Sequence, residues 1–346
     1  MSQKINISID YLKLYCVGGN WEDVEGVELK SLNVSSRHFK KISAVFLLGE
    51  KFGTLESEPF SSVLASDSSI LKIENRQLYS KSLAISIRFL INSTRVVIKS
   101  ITRLDIAIDF NYFKNKYYPE NLITDFMKQK IRKKGRGHFI VSGSQANTSK
   151  FHYLRFGSRL SAVSVYLYNK SKEMEDVKFK PYIENTWTQA GINTDKPVWR
   201  LEFSMKNEAT TFFNEATGEI QKMNWNDIIK EDVQRQIASS LLDKYFCFVR
   251  PNGQPRITRM PKIDLLQIER AEIVRIKLTP ESDITRSDKV FLKSLHKVLR
   301  FSQSSGSEKA QEAQSLIEWM TESEFLYKYY ARKRQEWDNE IDENIS

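Results

Sequence analysis

The stretch ITRLDIAIDF, residues 101–110, alternates apolar and polar side chains along most of its length. Successive side chains of a β-strand point to opposite sides of the sheet, so this alternation predicts a strand with one apolar and one polar face. The apolar face carries Leu104, Ile106, Ile108 and Phe110, and the polar face carries Arg103, Asp105, Ala107 and Asp109. Two carboxylates therefore share one face, with a small residue between them.

Two further stretches, VWRLEFSMK at residues 198–206 and SAVSVYLYNK at residues 161–170, repeat this pattern. The polar faces carry Arg200, Glu202 and Ser204 in the first stretch and Ser164, Tyr166, Tyr168 and Lys170 in the second. If the three strands are neighbours, one face of a sheet displays carboxylates, basic groups and tyrosines together.

That combination of side chains predicts chemistry on a phosphodiester. Carboxylates can hold a divalent cation, the cation and basic groups neutralise a phosphate, and a tyrosine can act as a nucleophile. A tyrosine hydroxyl has a pKa of about 10, so it needs such help at neutral pH. The alternative interpretation is an ordinary ion-paired sheet surface on which the tyrosine is a packing residue.

The remaining stretches predict an α+β protein built from two similar halves. Alternation at residues 83–91 predicts a strand, followed by a turn at Asn92 and Ser93. Helical periodicity predicts one helix at 119–132, beginning at Pro119, and another at 226–244. Further strands are expected at 96–110, 139–142, 151–156, 161–170 and 198–205.

The C-terminal region has a different character. A helix is expected at 287–300, with Ser287 as its N-cap, followed by a polar linker at 302–308 and a helical tail. These patterns predict an N-terminal β-rich half at 1–115, a second α+β half at 116–283 and an accessory helical region at 284–346.

The composition narrows the function class. The chain has 346 residues, 53 Lys and Arg against 43 Asp and Glu, and a sequence pI of about 9.3. It contains no apolar run of about 20 residues, which argues against an integral membrane protein. Two cysteines and four scattered histidines favour a reduced, cytoplasmic setting and a metal held by carboxylates, if there is one.

A basic segment follows the helix expected at 119–132. It carries Lys128, Lys130, Arg132, Lys133, Lys134 and Arg136. With the net positive charge, this segment is a candidate for contact with DNA phosphates. A solvated basic loop is the alternative interpretation.

The order of four short motifs resembles the transfer-type replication initiators (the Rep_trans group). These are rolling-circle initiators of small plasmids, together with relaxases of conjugative elements and filamentous-phage replication factors. The motifs are R-x-D-x-A-x-D at 103–109, a looser form of Y-x-x-G-S-R-x-S in YLRFGSRLS at 153–161, Y-x-K-x-x-E at 168–173 and W-R-x-E at 199–202. The resemblance covers roughly residues 80 to 250.

This resemblance implies an activity and a fold. Such proteins nick one strand at an origin hairpin, a tyrosine stays linked to the 5′ phosphate, and the free 3′ hydroxyl primes replication before the strand is later joined. The implied fold is two fused antiparallel-sheet halves of the TATA-binding type, with helices on one face.

The resemblance also implies roles for particular residues. Tyr168 would be the nucleophile, with Tyr166 as the second candidate. Asp105, Asp109 and Glu202 would hold Mg²⁺ or Mn²⁺, and Lys170, Arg200 and Arg103 would neutralise phosphate charge. Gly157, Ser158 and Arg159 would approach the DNA backbone. A homodimer and a host helicase are the further partners implied.

Asn169 departs from the family pattern, because many relatives have an acidic residue directly after the tyrosine. This departure keeps open a non-catalytic, origin-binding regulator on the same fold. A relaxase with the same chemistry also stays open, as does an unrelated nuclease that uses water and in which Tyr168 is structural.

Overall fold

The computed structural model describes residues 3–61, 64–135, 138–144, 147–158, 161–214 and 219–268. The chain divides into two compact units, Met1–Glu281 and Ser282–Ser346. All the described residues belong to the first unit. The helix expected at 287–300, the linker at 302–308, the helical tail, Arg136 and Arg159 lie outside the described residues.

Ten strands form one antiparallel sheet in the described part of the chain. They are β1 (Ile5–Val17), β2 (Val27–Ser31), β3 (Phe39–Leu47), β4 (Glu50–Pro59), β5 (Ser68–Ile73), β6 (Val97–Phe110), β8 (Phe139–Ser144), β9 (Asn147–Phe156), β10 (Val163–Asn169) and β11 (Trp199–Lys206). Two small sheets pair β7 (Arg132–Lys133) with β14 (Phe248–Val249) and β12 (Thr211–Asn214) with β13 (Glu219–Lys222). The order across the main sheet is β2-β3-β4-β5-β1-β6-β11-β10-β9-β8.

The helices of the described residues connect or follow these strands. They are α1 (Asn75–Leu78), α2 (Leu83–Thr94), α3 (Pro119–Met127), α4 (Lys170–Asp176), α5 (Pro181–Gln189), α6 (Trp225–Ile228) and α7 (Glu231–Tyr245). The helix predicted at 119–132 begins at Pro119 as expected but ends at Met127, and the chain continues through a turn into β7. The helix predicted at 226–244 is divided into α6 and α7.

The strand order confirms the two-half α+β fold. In the first half β1 is followed by the meander β2 to β5, which returns to pair with β1, and α2 comes next. In the second half β6 is followed by the meander β8 to β11, which returns to pair with β6, and α7 comes later. The halves join where β1 pairs with β6, so ten strands form one continuous sheet.

The prediction of a strand at 83–91 is wrong, because this stretch forms helix α2. Leu83, Ile87, Leu90 and Thr94 are buried at helical spacing, whereas Ile85 is 69% exposed. The predicted turn at Asn92 and Ser93 is the last turn of the same helix, which ends at Thr94 and is capped by Arg95 in the left-handed region (φ 61°). Alternate apolar residues satisfied both periods over so short a stretch, and burial against the sheet selected the helix.

The main core lies between the apolar face of the sheet and the longer helices. Ile87 of α2, Leu122 of α3 and Ile237 of α7 belong to the same buried cluster as Leu104 and Leu201 of the central strands. A second, smaller buried cluster surrounds α4 and α5 and contains Met174, Ile183, Trp187, Ile192 and Val198. The apolar face is therefore covered by helices, which leaves the polar face as the place for chemistry.

Candidate active site

The strand register brings the three predicted polar strands together on one face. β11 lies between β6 and β10, with Arg200 opposite Asp109 on one side and opposite Tyr168 on the other. Side chains directly opposite each other in an antiparallel pair point to the same side. The side of the sheet that carries Asp105, Glu202 and Tyr168 is called the open face below.

The central contact of the open face joins Tyr168 and Glu202. The Tyr168 hydroxyl donates to Glu202 Oε2 at 2.9 Å, and both side chains are partly exposed. Burial, followed by the negative charge of Glu202, raises the pKa of Tyr168 well above its usual value. Burial, followed by the charges of Asp10 and Asp105, raises the pKa of Glu202 to about 7. A carboxyl group with this pKa accepts a proton near neutral pH.

Arg200 lies two positions before Glu202 on β11, directly opposite Tyr168, and is completely buried. Its Nε donates to Asp109 Oδ1 at 2.7 Å, its Nη2 to Asp109 Oδ2 at 2.8 Å, and its Nη1 to Asp10 Oδ1 at 2.6 Å. Trp187 of α5 donates its Nε1 hydrogen to Asp109 Oδ2 at 2.7 Å, so α5 covers this end of the open face. The arrangement is a buried ion-pair cluster that orients the strands, and it leaves Arg200 no exposed surface for a phosphate.

Asp10 is a member of this cluster that sequence reasoning missed. The β1–β6 register shifts between Ile9 and Tyr11, which makes Asp10 the extra residue of a β-bulge. The hydroxyl of Tyr79 donates to Asp10 Oδ1 at 2.6 Å. Although burial acts to raise the pKa of Asp10, the positive charges of Arg200 and Lys170 hold that pKa below its usual range. The alternation of polar residues in INISID was the available signal.

Asp105 lies four residues before Asp109 in the interior of β6 and is also buried. Arg103 donates to both of its oxygens, from Nε at 3.0 Å and from Nη2 at 2.6 Å. Burial raises the pKa of Asp105 although Arg103 opposes the change. The guanidinium of Arg103 also stacks 4.2 Å from the ring centre of Tyr11.

The structure does not gather the three predicted metal-binding carboxylates. Asp105 and Asp109 are four residues apart on one strand, which separates their backbones by about 13 Å. Both oxygens of each carboxylate accept hydrogen bonds from arginine. Among the described residues, no three Asp, Glu, His or Cys side chains form a group that could hold a metal ion.

Lys170 and Asn169 begin helix α4 directly after β10. The ammonium group of Lys170 is buried, pairs with Glu173 at 2.5 Å and lies 5.6 Å from the ring centre of Tyr168. Burial, followed by the charge of Arg200, lowers the pKa of Lys170. Asn169 is the N-cap of α4, since its Oδ1 accepts from the backbone N–H of Lys172 at 3.0 Å. Asn169, which stands where many members of the resembling family have an acidic residue, therefore has a structural role as a helix cap.

Gly157 comes directly after the last residue of β9. Gly157 has a φ of +91°, and a Cβ there would lie 3.0 Å from the backbone oxygen of Val163. The exposed Ser158 donates its backbone N–H to Ser161 Oγ at 2.9 Å. The turn requires a glycine for its own geometry, independently of any ligand.

The basic segment after α3 has a different location from Tyr168. Lys128, Lys130, Arg132 and Lys134 are exposed. Lys133 stacks 5.0 Å from the ring centre of Phe156, which belongs to the buried core of the helical side. The structure therefore does not bring Lys133 together with Tyr168 on the open face.

Comparison with solved structures gives a likeness of limited extent. No protein-family model matches the chain, and no curated protein matches it. A solved structure described as the rolling circle replication initiator protein from Geobacillus stearothermophilus aligns with a TM-score of 0.44 and 16% identity. The alignment covers 76% of this chain and 93% of that one. A likeness of this extent carries no conclusion about activity.

Across the described ranges, from residue 3 to residue 268 with their gaps, no helix is long and apolar enough to cross a membrane.

Proposed function

We propose that the chain is a DNA nicking and joining enzyme that starts rolling-circle replication, with Tyr168 as its nucleophile. The observation that carries this proposal is the hydrogen bond from the Tyr168 hydroxyl to the Glu202 carboxylate on a partly exposed sheet face. A tyrosine beside a carboxyl group of pKa about 7 is a nucleophile paired with its base. The ordered sequence motifs around Tyr168 and Glu202 support the same chemistry.

The proposed step transfers one phosphodiester bond. The Tyr168 oxygen attacks the phosphorus, its proton passes to Glu202, and the bond from phosphorus to the 3′ oxygen breaks. The 3′ oxygen takes a proton from water, which leaves hydroxide in the solvent, and becomes a free hydroxyl, while the 5′ phosphate stays on the tyrosine. The reverse sequence joins the strand, with protonated Glu202 returning its proton to Tyr168.

Arg200, Asp109 and Asp10 have a positioning role in this proposal. Their buried ion pairs connect β1, β6 and β11 two positions from Glu202 and hold the strand that carries it. A preorganised site keeps the acceptor oxygen aligned with the hydroxyl without reorganisation during the reaction. Arg200 thus acts through the strands instead of touching the phosphate.

A requirement for Mg²⁺ or Mn²⁺ remains a prediction from the family resemblance. The described carboxylates as arranged do not fit a three-carboxylate metal site, and no step of the proposal passes through a metal. Chelation by EDTA tests the requirement directly. A homodimer, a helicase partner and transfer of a mobile element in place of replication are likewise predictions that the residues do not decide.

The experiment that tests the proposal uses supercoiled plasmid that carries the element's own origin. Wild type, Tyr168→Phe and the matched control Tyr166→Phe are incubated with it and analysed on a denaturing gel without protease treatment. We expect a nick with attached protein for wild type and Tyr166→Phe, and none for Tyr168→Phe. A nick that survives Tyr168→Phe without attached protein indicates a nuclease that uses water. Origin binding without any nick indicates a regulator.

A further inference from the structure

The basic groups predicted to neutralise phosphate on the open face are already engaged. Arg103 holds Asp105, Lys170 holds Glu173, and Arg200 holds Asp109 and Asp10. Arg200 and Lys170 are buried, and Arg103 lies opposite Lys206, six positions along β11 from the residue opposite Tyr168. A different cation must therefore hold the DNA backbone next to Tyr168, if the proposed function is correct.

Arg155 on β9 has the properties that such a cation needs. It lies opposite Tyr166 in the β9–β10 register, two positions along from the Tyr153–Tyr168 pair. Its guanidinium stacks 5.3 Å from the ring centre of Tyr166. Its positive charge acts to lower the pKa of Tyr153 although burial raises that pKa overall. Arg155 is therefore on the open face, beside the nucleophile.

The Nε atom of Arg155 lacks a hydrogen-bond partner in the described part of the chain, although it is buried. A buried donor on a charged group is unfavourable unless an acceptor arrives, because the group has lost water without replacing it. The planar guanidinium matches the oxygens of a phosphate in a two-point hydrogen bond, which suits this position to a nucleic-acid backbone.

We propose that Arg155 binds a phosphate of single-stranded DNA within one nucleotide of the bond that Tyr168 attacks. Tyr166 supports the guanidinium from one side, which fixes its plane before the DNA arrives. Tyr153 lies next to it and offers a ring on which a base can stack. The catalytic purpose of this phosphate site rests on the proposed nicking function, but DNA binding at Arg155 can be measured without cleavage.

The test measures the salt dependence of binding to a fluorescent oligo(dT) strand by anisotropy. All variants are made in the Tyr168→Phe background, so no strand is cut. Each phosphate neutralised on a single strand contributes about −0.7 to the slope of log K against log salt. We expect Arg155→Gln to weaken binding several-fold and to make the slope less negative by about 0.7. An unchanged slope overturns the proposal.

Arg88→Gln is the matched control, since it removes the same charge from helix α2, where Arg88 bonds to Asn226. It should leave the slope unchanged, and an equal effect of both variants overturns a specific role for Arg155. If Arg155→Gln does not fold, Arg155→Lys tests whether Arg155 binds the phosphate. It should keep the slope and weaken binding at least about threefold, because charge remains but the two-point contact is lost. Wild-type affinity for Arg155→Lys overturns the proposal.

The two proposals fail separately. If Tyr168→Phe still nicks DNA while Arg155→Gln changes the salt slope, the phosphate site stands and the nucleophile is wrong. If Tyr168→Phe abolishes nicking while the slope is unaffected by Arg155→Gln, the nucleophile stands and the phosphate site is wrong.

Discussion

The pair formed by Tyr168 and Glu202 shows how two ordinary side chains acquire unusual acidities. Both side chains are largely buried on the sheet, so both lose part of their hydration. Glu202 also lies near the negative charges of Asp10 and Asp105, which favour its neutral form. The same surroundings therefore make Glu202 a better base and Tyr168 a weaker acid than either is in water.

Replacement of Glu202 with glutamine should separate catalysis from stability. In the folded protein the pKa of Glu202 is about 7, above its usual value of 4.5. The folded state therefore holds a proton that the unfolded state releases, and stability falls as pH rises from about 4.5 to 7. Glutamine removes this loss, so Glu202→Gln should raise the melting temperature relative to wild type more at pH 8 than at pH 5.

The same variant should be defective in nicking at every pH. In wild type the rate of nicking should rise with pH through about 7, since only ionised Glu202 accepts the tyrosine proton. Scanning fluorimetry at the two pH values and a pH–rate profile provide the measurements. A melting-temperature difference that is the same at both values, or larger at pH 5, contradicts the raised pKa.

Helix α2 shows that a short apolar alternation does not by itself define a strand. Its sequence LAISIRFLINST places apolar residues at both period two and helical spacing. The helix buries Leu83, Ile87 and Leu90 against the sheet and turns Ile85 to solvent. Packing on the sheet therefore decides the element, as it does for most helices in proteins.

Truncation of Ile87 and Ile85 tests this element with a matched pair. On a strand the two side chains share a face, whereas on α2 only Ile87 enters the core. We expect Ile87→Ala to lower the free energy of unfolding by about 2–5 kcal/mol and Ile85→Ala to change it by less than about 0.5 kcal/mol. Urea unfolding followed by circular dichroism measures both. Equal losses argue against the helix.

At the scale of the whole molecule, a buried charge cluster lies where the two halves of the sheet join. Asp10 comes from β1 of the first half, while Asp109 and Arg200 come from β6 and β11 of the second. Burial makes the loss of one partner expensive, because the remaining charge has no water to solvate it. The cluster connects the halves through side chains as the β1–β6 pairing connects them through the backbone.

Asp109→Ala distinguishes a structural role from a metal-binding role. In buffer with EDTA, we expect the free energy of unfolding to fall by about 3–5 kcal/mol, since Arg200 loses its main partner. A carboxylate whose purpose is to hold a cation leaves a metal-free protein equally or more stable when it is removed, because like charges then repel less. Urea unfolding with and without EDTA measures the difference. Unchanged stability in EDTA supports the metal role.

The sequence alone determined the strands that carry the chemistry. The alternation around Asp105, Tyr168 and Glu202 survives in β6, β10 and β11, because side-chain direction along a strand follows from local backbone geometry. The antiparallel two-half α+β class was also predictable, since its strands and the helix beginning at Pro119 are marked by local periodicity.

Only the tertiary structure decided which side chains of the polar face are free to act. Arg200 and Asp109 are predicted on one face, but they form an ion pair with each other and are not available to a ligand. Asp10, which lies in a β-bulge of β1, also binds Arg200. The partner of each charge depends on strand register and burial, which are set by long-range packing. Strand register and burial also determine the roles of Glu202 and Arg155. A charged group can be recognised as free to bind a ligand only when the partners of its neighbours are known.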